Sequence, residues 1–191
     1  MKPIERAELM DLGAYEQVRE HFRARVIAVK QVRYVALGSN ITLLFENRDT
    51  VLFQIQEMLR TERITSEKAI AHELDTYNEL VPGRSELSAT AFIEYPERDE
   101  RERMLVALAG VEDDFYLEAG GERLSVIPDA RGTDPSRTMA VQYVKFPLGE
   151  AARAAVQGRR GPVRIGVDHP AYRSVTTLSD ATLASLADDL D

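Results

Sequence analysis

The spacing of apolar residues changes at Pro82-Gly83, and this change limits the folds open to the chain. Before Pro82, outside one hairpin, apolar side chains recur every three or four residues, which is the spacing of amphipathic helices. After Gly83, over residues 87–95, they alternate with polar side chains, as they do in half-buried strands. Helices that precede a run of strands favour the α+β class over alternating β-α-β units.

The first predicted helix covers residues 15–29. Its apolar side chains fall on one face, which we expect to be buried. Arg19, Arg23 and Lys30 flank this face, and we expect their aliphatic stems to cover its edge. The predicted buried stripe consists of Tyr15, Val18, Phe22, Val26 and Val29.

The remaining elements follow from turn signals and periodicity. A β-hairpin is expected over residues 33–46, because two apolar runs flank a Gly-Ser-Asn turn. Two more helices complete the N-terminal part, one capped by Asn47 or Asp49 and one over residues 66–80. We expect the C-terminal part to form a mostly antiparallel sheet and to end in a helix. Its predicted elements are a strand at 87–95, a hairpin at 115–126, strands at 138–146 and 163–167, and helices at 148–156 and 178–190.

A single domain over residues 1–191 is the expected organisation, and a subdomain boundary near residue 82 is the alternative. The chain has 24 Lys and Arg against 32 Asp and Glu, a net charge of −8. Neither half has the basic excess that non-specific nucleic-acid binding needs. No apolar run approaches the roughly 20 residues of a membrane helix, and residues 1–10 lack the apolar core of a signal peptide. We therefore expect a soluble, cytoplasmic protein.

The chain contains no cysteine. This excludes disulfides, thiolate zinc sites, cysteine-ligated iron–sulfur clusters and cysteine nucleophiles. The sequence also has no glycine-rich phosphate loop, no G-x-S-x-G and no H-E-x-x-H motif. A metal site in this chain would therefore use oxygen and nitrogen ligands.

A metal site is the first chemical hypothesis. His72, Asp75 and Glu79 are spaced i, i+3 and i+7 on the third predicted helix, so they share one face. Imidazole and carboxylate ligands bind iron, manganese or zinc, and Glu57 on the second helix could complete the set. A solvated helix face gives the same pattern and is the alternative. A ferritin-like site is not expected, because the repeated Glu-x-x-His motif is absent.

Two further candidates lie in the C-terminal part. His169 follows a predicted strand beside Asp168, and Glu94 lies within a strand on its face of mixed polarity. Either residue could act as a metal ligand or a general base. The alternatives are a histidine that caps a turn by hydrogen bonding and a glutamate that faces water. Arg131 and Arg137, in a polar loop, are weaker candidates for a carboxylate or phosphate site.

Three parts of the sequence resemble a bacterial family known only as domain-of-unknown-function family 3501. They are residues 44–58, residues 73–78 with 87–90, and residues 168–172, and the block at 46–58 is the most specific. The resemblance implies genes that lie beside those for rubrerythrin and an iron–sulfur oxidoreductase of the heterodisulfide-reductase type. It thus implies a role in peroxide or redox defence, and it transfers no catalytic residue.

Three functional hypotheses follow. The first is a cytoplasmic accessory protein that binds rubrerythrin or the iron–sulfur oxidoreductase and has no chemistry of its own. The second is a metal-dependent enzyme or metal carrier, with His72, Glu79 and Glu57 or with His169 and Glu94 as ligands for iron, manganese or zinc. The third is an anion sensor that uses the two loop arginines. Self-association into a homo-oligomer is compatible with each of them.

Overall fold

The computed structural model describes residues 1–129 and 134–190. These residues form six α-helices and nine β-strands, together with short 3₁₀ turns at Arg6–Glu8 and Val111–Asp113. The predicted α+β class is confirmed. The helices are α1 (Leu12–Gln31), α2 (Arg48–Thr61), α3 (Glu67–Asn78), α4 (Arg98–Ala107), α5 (Glu150–Gln157) and α6 (Asp180–Asp189). The strands are β1 (Tyr34–Leu37), β2 (Ile41–Glu46), β3 (Glu86–Ile93), β4 (Phe115–Ala119), β5 (Glu122–Ser125), β6 (Ile127–Pro128), β7 (Val141–Pro147), β8 (Arg164–His169) and β9 (Tyr172–Thr177).

The strands form two antiparallel sheets. The first has the order β1-β2-β3-β7-β6, and the second has the order β5-β4-β8-β9. The N-terminal hairpin β1–β2 joins the first sheet by pairing with β3, so that Leu43 lies opposite Ala91. The first sheet therefore contains strands from both sides of the pattern change near residue 82.

One apolar cluster contains side chains from both sheets. The alternation predicted for residues 87–95 is present, because Leu87, Ala89 and Ala91 are all buried in this cluster. Leucines of α6 complete the cluster at one side. A second cluster lies between α2 and α3, and a third, smaller one lies under α1.

Side chains of β9 join the two sheets at their edges. The Tyr172 hydroxyl donates to the carbonyl oxygen of Leu37 at 2.5 Å, and the Thr176 hydroxyl donates to that of Ala36 at 2.6 Å. Both acceptors lie on β1, the edge strand of the first sheet. The Thr176 bond satisfies an edge carbonyl that would otherwise be open to pairing with another chain.

A fully buried arginine connects the N-terminal part with the last helix. The Arg33 guanidinium donates to the carbonyl oxygens of Phe45 at 2.8 Å and Glu46 at 3.1 Å. It also donates to the Ser185 hydroxyl and to the Asp189 carboxylate on α6. Burial raises the pKa of Asp189, and the Arg33 charge opposes that rise. The pair fixes α6 against the turn between α1 and β1.

The structure corrects several predicted elements. Val18 was expected in the buried stripe of α1 but is 41% exposed. The charge run at residues 97–103 is typical of a loop or of the solvated start of a helix, and the structure has the helix: α4 begins at Arg98, and only Leu105 is buried along it. Strand β9 was not predicted, because its residues alternate between partly exposed and exposed and so lack an apolar face.

Candidate partner-binding surface

The metal-site candidates on α2 and α3 do not converge. His72 and Asp75 are exposed on α3, and Glu79 lies one residue beyond the end of that helix. Glu79 lines a cavity of about 220 Å³ together with Tyr143 and Lys145. Glu57 instead faces α1 from α2.

Glu57 is held by an ion pair. Arg19 donates to its two oxygens at 2.8 and 2.7 Å, and the Tyr15 hydroxyl donates to it at 2.8 Å. The Arg19 hydrogen bonds are the main reason why the pKa of Glu57 lies below its ordinary value. Burial, together with the nearby Glu57 charge, raises the pKa of Tyr15. These contacts join α1 to α2.

The C-terminal candidates also have local partners. The Glu94 carboxylate accepts a hydrogen bond from Thr42 at 2.8 Å. His169 Nδ1 accepts from the Ala171 amide at 3.1 Å, so Nε2 is the protonated nitrogen that faces the Ala109 carbonyl oxygen at 3.2 Å. Arg137 pairs with Glu102 at 3.3 Å. Arg131 lies outside the described residues.

Two kinds of feature have no candidate within residues 1–129 and 134–190. In these residues, no three His, Asp or Glu side chains lie close enough together to hold one metal ion. None of the helices in the same part of the chain has both the length and the hydropathy that crossing a bilayer requires. Metal binding by His72, Asp75, Glu79, Glu57, His169 and Glu94 stays a prediction.

Helix α1 is covered along one narrow face only. It packs on α2 through Tyr15, Phe22 and Val26, which are its only buried side chains over 20 residues. Phe22 meets Phe53 edge to face, with 5.8 Å between the ring centroids. Most of the remaining helix surface is exposed.

An apolar groove runs along one side of α1, and we call it the α1 groove. Phe22 and Leu52 contribute buried and half-buried apolar surface to it, while Val18 is 41% and Met10 37% exposed. The position of Met10 is fixed by the buried Gln56 side chain, which accepts from the Met10 amide at 2.7 Å. The groove has a volume of about 270 Å³, and its lining is Met10, Val18, His21, Phe22, Arg25 and Leu52.

Basic groups accompany the α1 groove. The Arg25 guanidinium lies 4.9 Å from the centre of the Phe22 ring. Its ion pair with Asp49 spans 3.8 Å, which is too long for a hydrogen bond. On the same helix, Arg23 and Lys30 have no ion pair within the described part of the chain. An exposed apolar groove with an arginine at its side has the composition of a small protein–protein contact site.

Sequence periodicity alone missed the groove. Val18 is three residues after Tyr15 and four before Phe22, so the helical repeat placed it in the buried stripe. The stripe is narrower than expected because α1 packs mainly on α2. The sequence did contain one indication of exposed apolar surface on α1, because Ile27 is apolar but lies outside the predicted stripe. In the structure Ile27 is 39% exposed.

Comparisons with known proteins give a family and a solved structure. The sequence model of a family described as "Protein of unknown function (DUF3501)" matches residues 3–190. The chain is similar to a crystal structure from Burkholderia pseudomallei K96243, described as a novel protein of unknown function. The two share 40% sequence identity with a TM-score of 0.93, and the match covers 100% of each chain. No curated protein matches the sequence.

Proposed function

The chain belongs to the DUF3501 family of proteins of unknown function, and we propose that it is an accessory protein that binds an acidic redox partner through the α1 groove. It works in the cytoplasm and contributes binding, while its partner contributes the redox chemistry. The observation that carries the proposal is the groove itself, where Met10 and Val18 are exposed beside Phe22. Exposed apolar surface of this kind is typical of interaction sites.

The size of the groove fits a side-chain anchor from another protein. A volume of about 270 Å³ accommodates one or two apolar side chains of a partner helix or loop. Burial of one leucine-sized side chain contributes roughly 1.5–3 kcal/mol. Such an anchor, surrounded by weaker contacts, is the usual energetic centre of a protein interface.

The charges of α1 favour an acidic partner. Arg25 lies at the groove, and its contact with Asp49 leaves the guanidinium able to bind a second carboxylate. Arg23 and Lys30 add positive charge on the same helix, although the whole chain carries −8. Complementary charge speeds association and sets orientation more than it adds affinity.

The redox identity of the partner rests on the family resemblance, which links these proteins to rubrerythrin and an iron–sulfur oxidoreductase. The chain has no cysteine, so it can neither ligate an iron–sulfur cluster through thiolates nor relay a disulfide. A binding role beside proteins that hold such centres is consistent with this composition.

Two charge variants test the proposal. Val18→Asp places a carboxylate inside the groove, and we expect it to weaken binding to rubrerythrin or the iron–sulfur oxidoreductase at least about ten-fold. Arg25→Glu should weaken binding through slower association, with a smaller salt dependence than the unmodified chain shows. Both side chains are exposed, so the variants should fold. The measurement is biolayer interferometry at 50 and 300 mM salt.

Each variant has a matched control. Val175→Asp makes the same change on β9, where the valine is 54% exposed, and Arg103→Glu reverses the charge of an exposed arginine on α4, away from the groove lining. We expect both controls to bind within about two-fold of the unmodified chain. The proposal fails if neither protein binds at tens of micromolar, or if Val18→Asp and Val175→Asp bind equally well. Analytical ultracentrifugation of the chain with either protein would also overturn it if the chain associated only with itself, through α1.

A further inference from the structure

A second concave site lies at one end of the second sheet, β5-β4-β8-β9, and it shares no residue with the α1 groove. It has a volume of about 520 Å³, within the range of small-molecule sites. Two turns build it, the one between β4 and β5 and the connection from α5 to β8. The lining residues are Glu118, Ala119, Gly120, Gly121, Glu122, Arg123, Arg160, Gly161, Pro162 and Arg164.

Packing holds the turn between β4 and β5 in place. Gly120 has φ +61°, and a Cβ atom there would lie 2.5 Å from the backbone oxygen of Ala151 on α5. Only glycine fits so close to that helix in this left-handed conformation. The turn is thereby held against α5, opposite the segment that carries Arg160.

Three arginines line the cavity, and their side chains are held differently. The Arg123 guanidinium lies 3.5 Å from the centre of the Tyr116 ring and donates to Asp168 at 3.2 Å, so it is held on two residues outside the cavity lining. Arg164 is 3.6 Å from Glu118, a distance at which charges attract without a hydrogen bond. The Arg160 side chain is exposed and has no hydrogen bond or ion pair to any residue of the described chain.

We propose that this cavity binds a phosphorylated sugar, with its phosphate on Arg160 and Arg164 and its hydroxyl groups on Glu118 and Glu122. A phosphate monoester carries up to two negative charges, which matches two guanidinium groups better than the single charge of a carboxylate does. The two glutamates would repel a bare anion but accept hydrogen bonds from sugar hydroxyls. This site goes beyond the proposed partner binding, and because the two sites share no residue, the failure of one proposal does not affect the other.

Calorimetric titration of the full chain with ribose 5-phosphate, inorganic phosphate and ribose tests the site. We expect ribose 5-phosphate to bind with a dissociation constant of about 1 mM or tighter, inorganic phosphate more weakly, and ribose not measurably. Arg160→Ala should weaken ribose 5-phosphate about ten-fold, because it removes a charge-assisted hydrogen bond. Arg159→Ala, one residue away and outside the lining, should stay within about two-fold of the unmodified chain.

A third variant separates the two halves of the ligand. Glu118→Gln should reduce the advantage of ribose 5-phosphate over inorganic phosphate, because it replaces a charged acceptor of hydroxyl groups with a neutral one. The proposal is overturned if none of these ligands binds at a concentration of about 10 mM, which is far above the dissociation constant expected of such a site. Equal losses of affinity for ribose 5-phosphate in Arg160→Ala and Arg159→Ala would overturn it too. So would tighter binding of citrate, titrated in the same way as a carboxylate ligand, than of ribose 5-phosphate.

Discussion

At the scale of single residues, the Glu57 carboxylate holds α2 to α1. Glu57 was a candidate metal ligand, and in the fold it accepts hydrogen bonds from Arg19 and Tyr15. Both partners are about 40 positions away in the chain, so no local spacing could have paired them. His169 likewise faces a carbonyl oxygen 60 residues earlier. Long-range packing decides which neighbours such side chains have.

The ion pair of Glu57 leads to a pH-dependent prediction. Its pKa in the fold lies below the ordinary 4.5, so the ionised carboxylate stabilises the folded chain. This contribution is complete above the ordinary pKa and is lost as the pH falls through the lower pKa of the folded state. We expect Glu57→Gln to reduce the free energy of unfolding by about 1–2 kcal/mol at pH 7, and by much less near pH 3.

Urea unfolding at pH 7, 5 and 3 measures this difference. Glu62→Gln is the control, because Glu62 is exposed at the end of α2 and lies in no ion pair among the described residues. Its effect should be within about 0.5 kcal/mol at every pH. An equal loss for Glu57→Gln at pH 3 and pH 7 would show that the ionised pair is not the cause.

At the scale of elements, strong periodicity and turn chemistry were sufficient to predict where a helix begins and where a hairpin turns. Of the two caps expected for the second helix, Asn47 is the one present, and the hairpin predicted at residues 115–126 is present with its turn at Gly120-Gly121. Periodicity was insufficient where an element is only half covered. Helix α1 exposes Val18 because it packs mainly on one neighbour, α2, and the polar edge strand β9 has no apolar alternation to detect.

The β4–β5 turn provides a matched pair of substitutions. Gly120 and Gly121 both have positive φ, so alanine at either position is strained by about 1–2 kcal/mol. Gly120→Ala would also press its Cβ atom against Ala151, whereas the Gly121 position has no atom within 4 Å. We expect Gly120→Ala to lower the free energy of unfolding by about 3 kcal/mol or more, and Gly121→Ala by about 1–2 kcal/mol. Equal losses in urea unfolding would contradict the close approach of the turn to α5.

At the scale of the whole molecule, the α+β class was predictable but the division into two sheets was not. The order of helices and strands along the chain indicates the class. The pairing of β4 with β8, and the bonds from Tyr172 and Thr176 to β1, join segments far apart in sequence. Such contacts depend on the packing of one shared core, and a single sequence gives no signal for them.

We expect one side of the fold, at α1, to be used for partner binding. Hydrogen–deuterium exchange of the full chain, with and without rubrerythrin or the iron–sulfur oxidoreductase, tests this most directly. We expect binding to slow amide exchange in α1, residues 12–31, and to leave the strands of both sheets unchanged. Slower exchange confined to the sheets, or no change in α1 under saturating partner, would contradict the account.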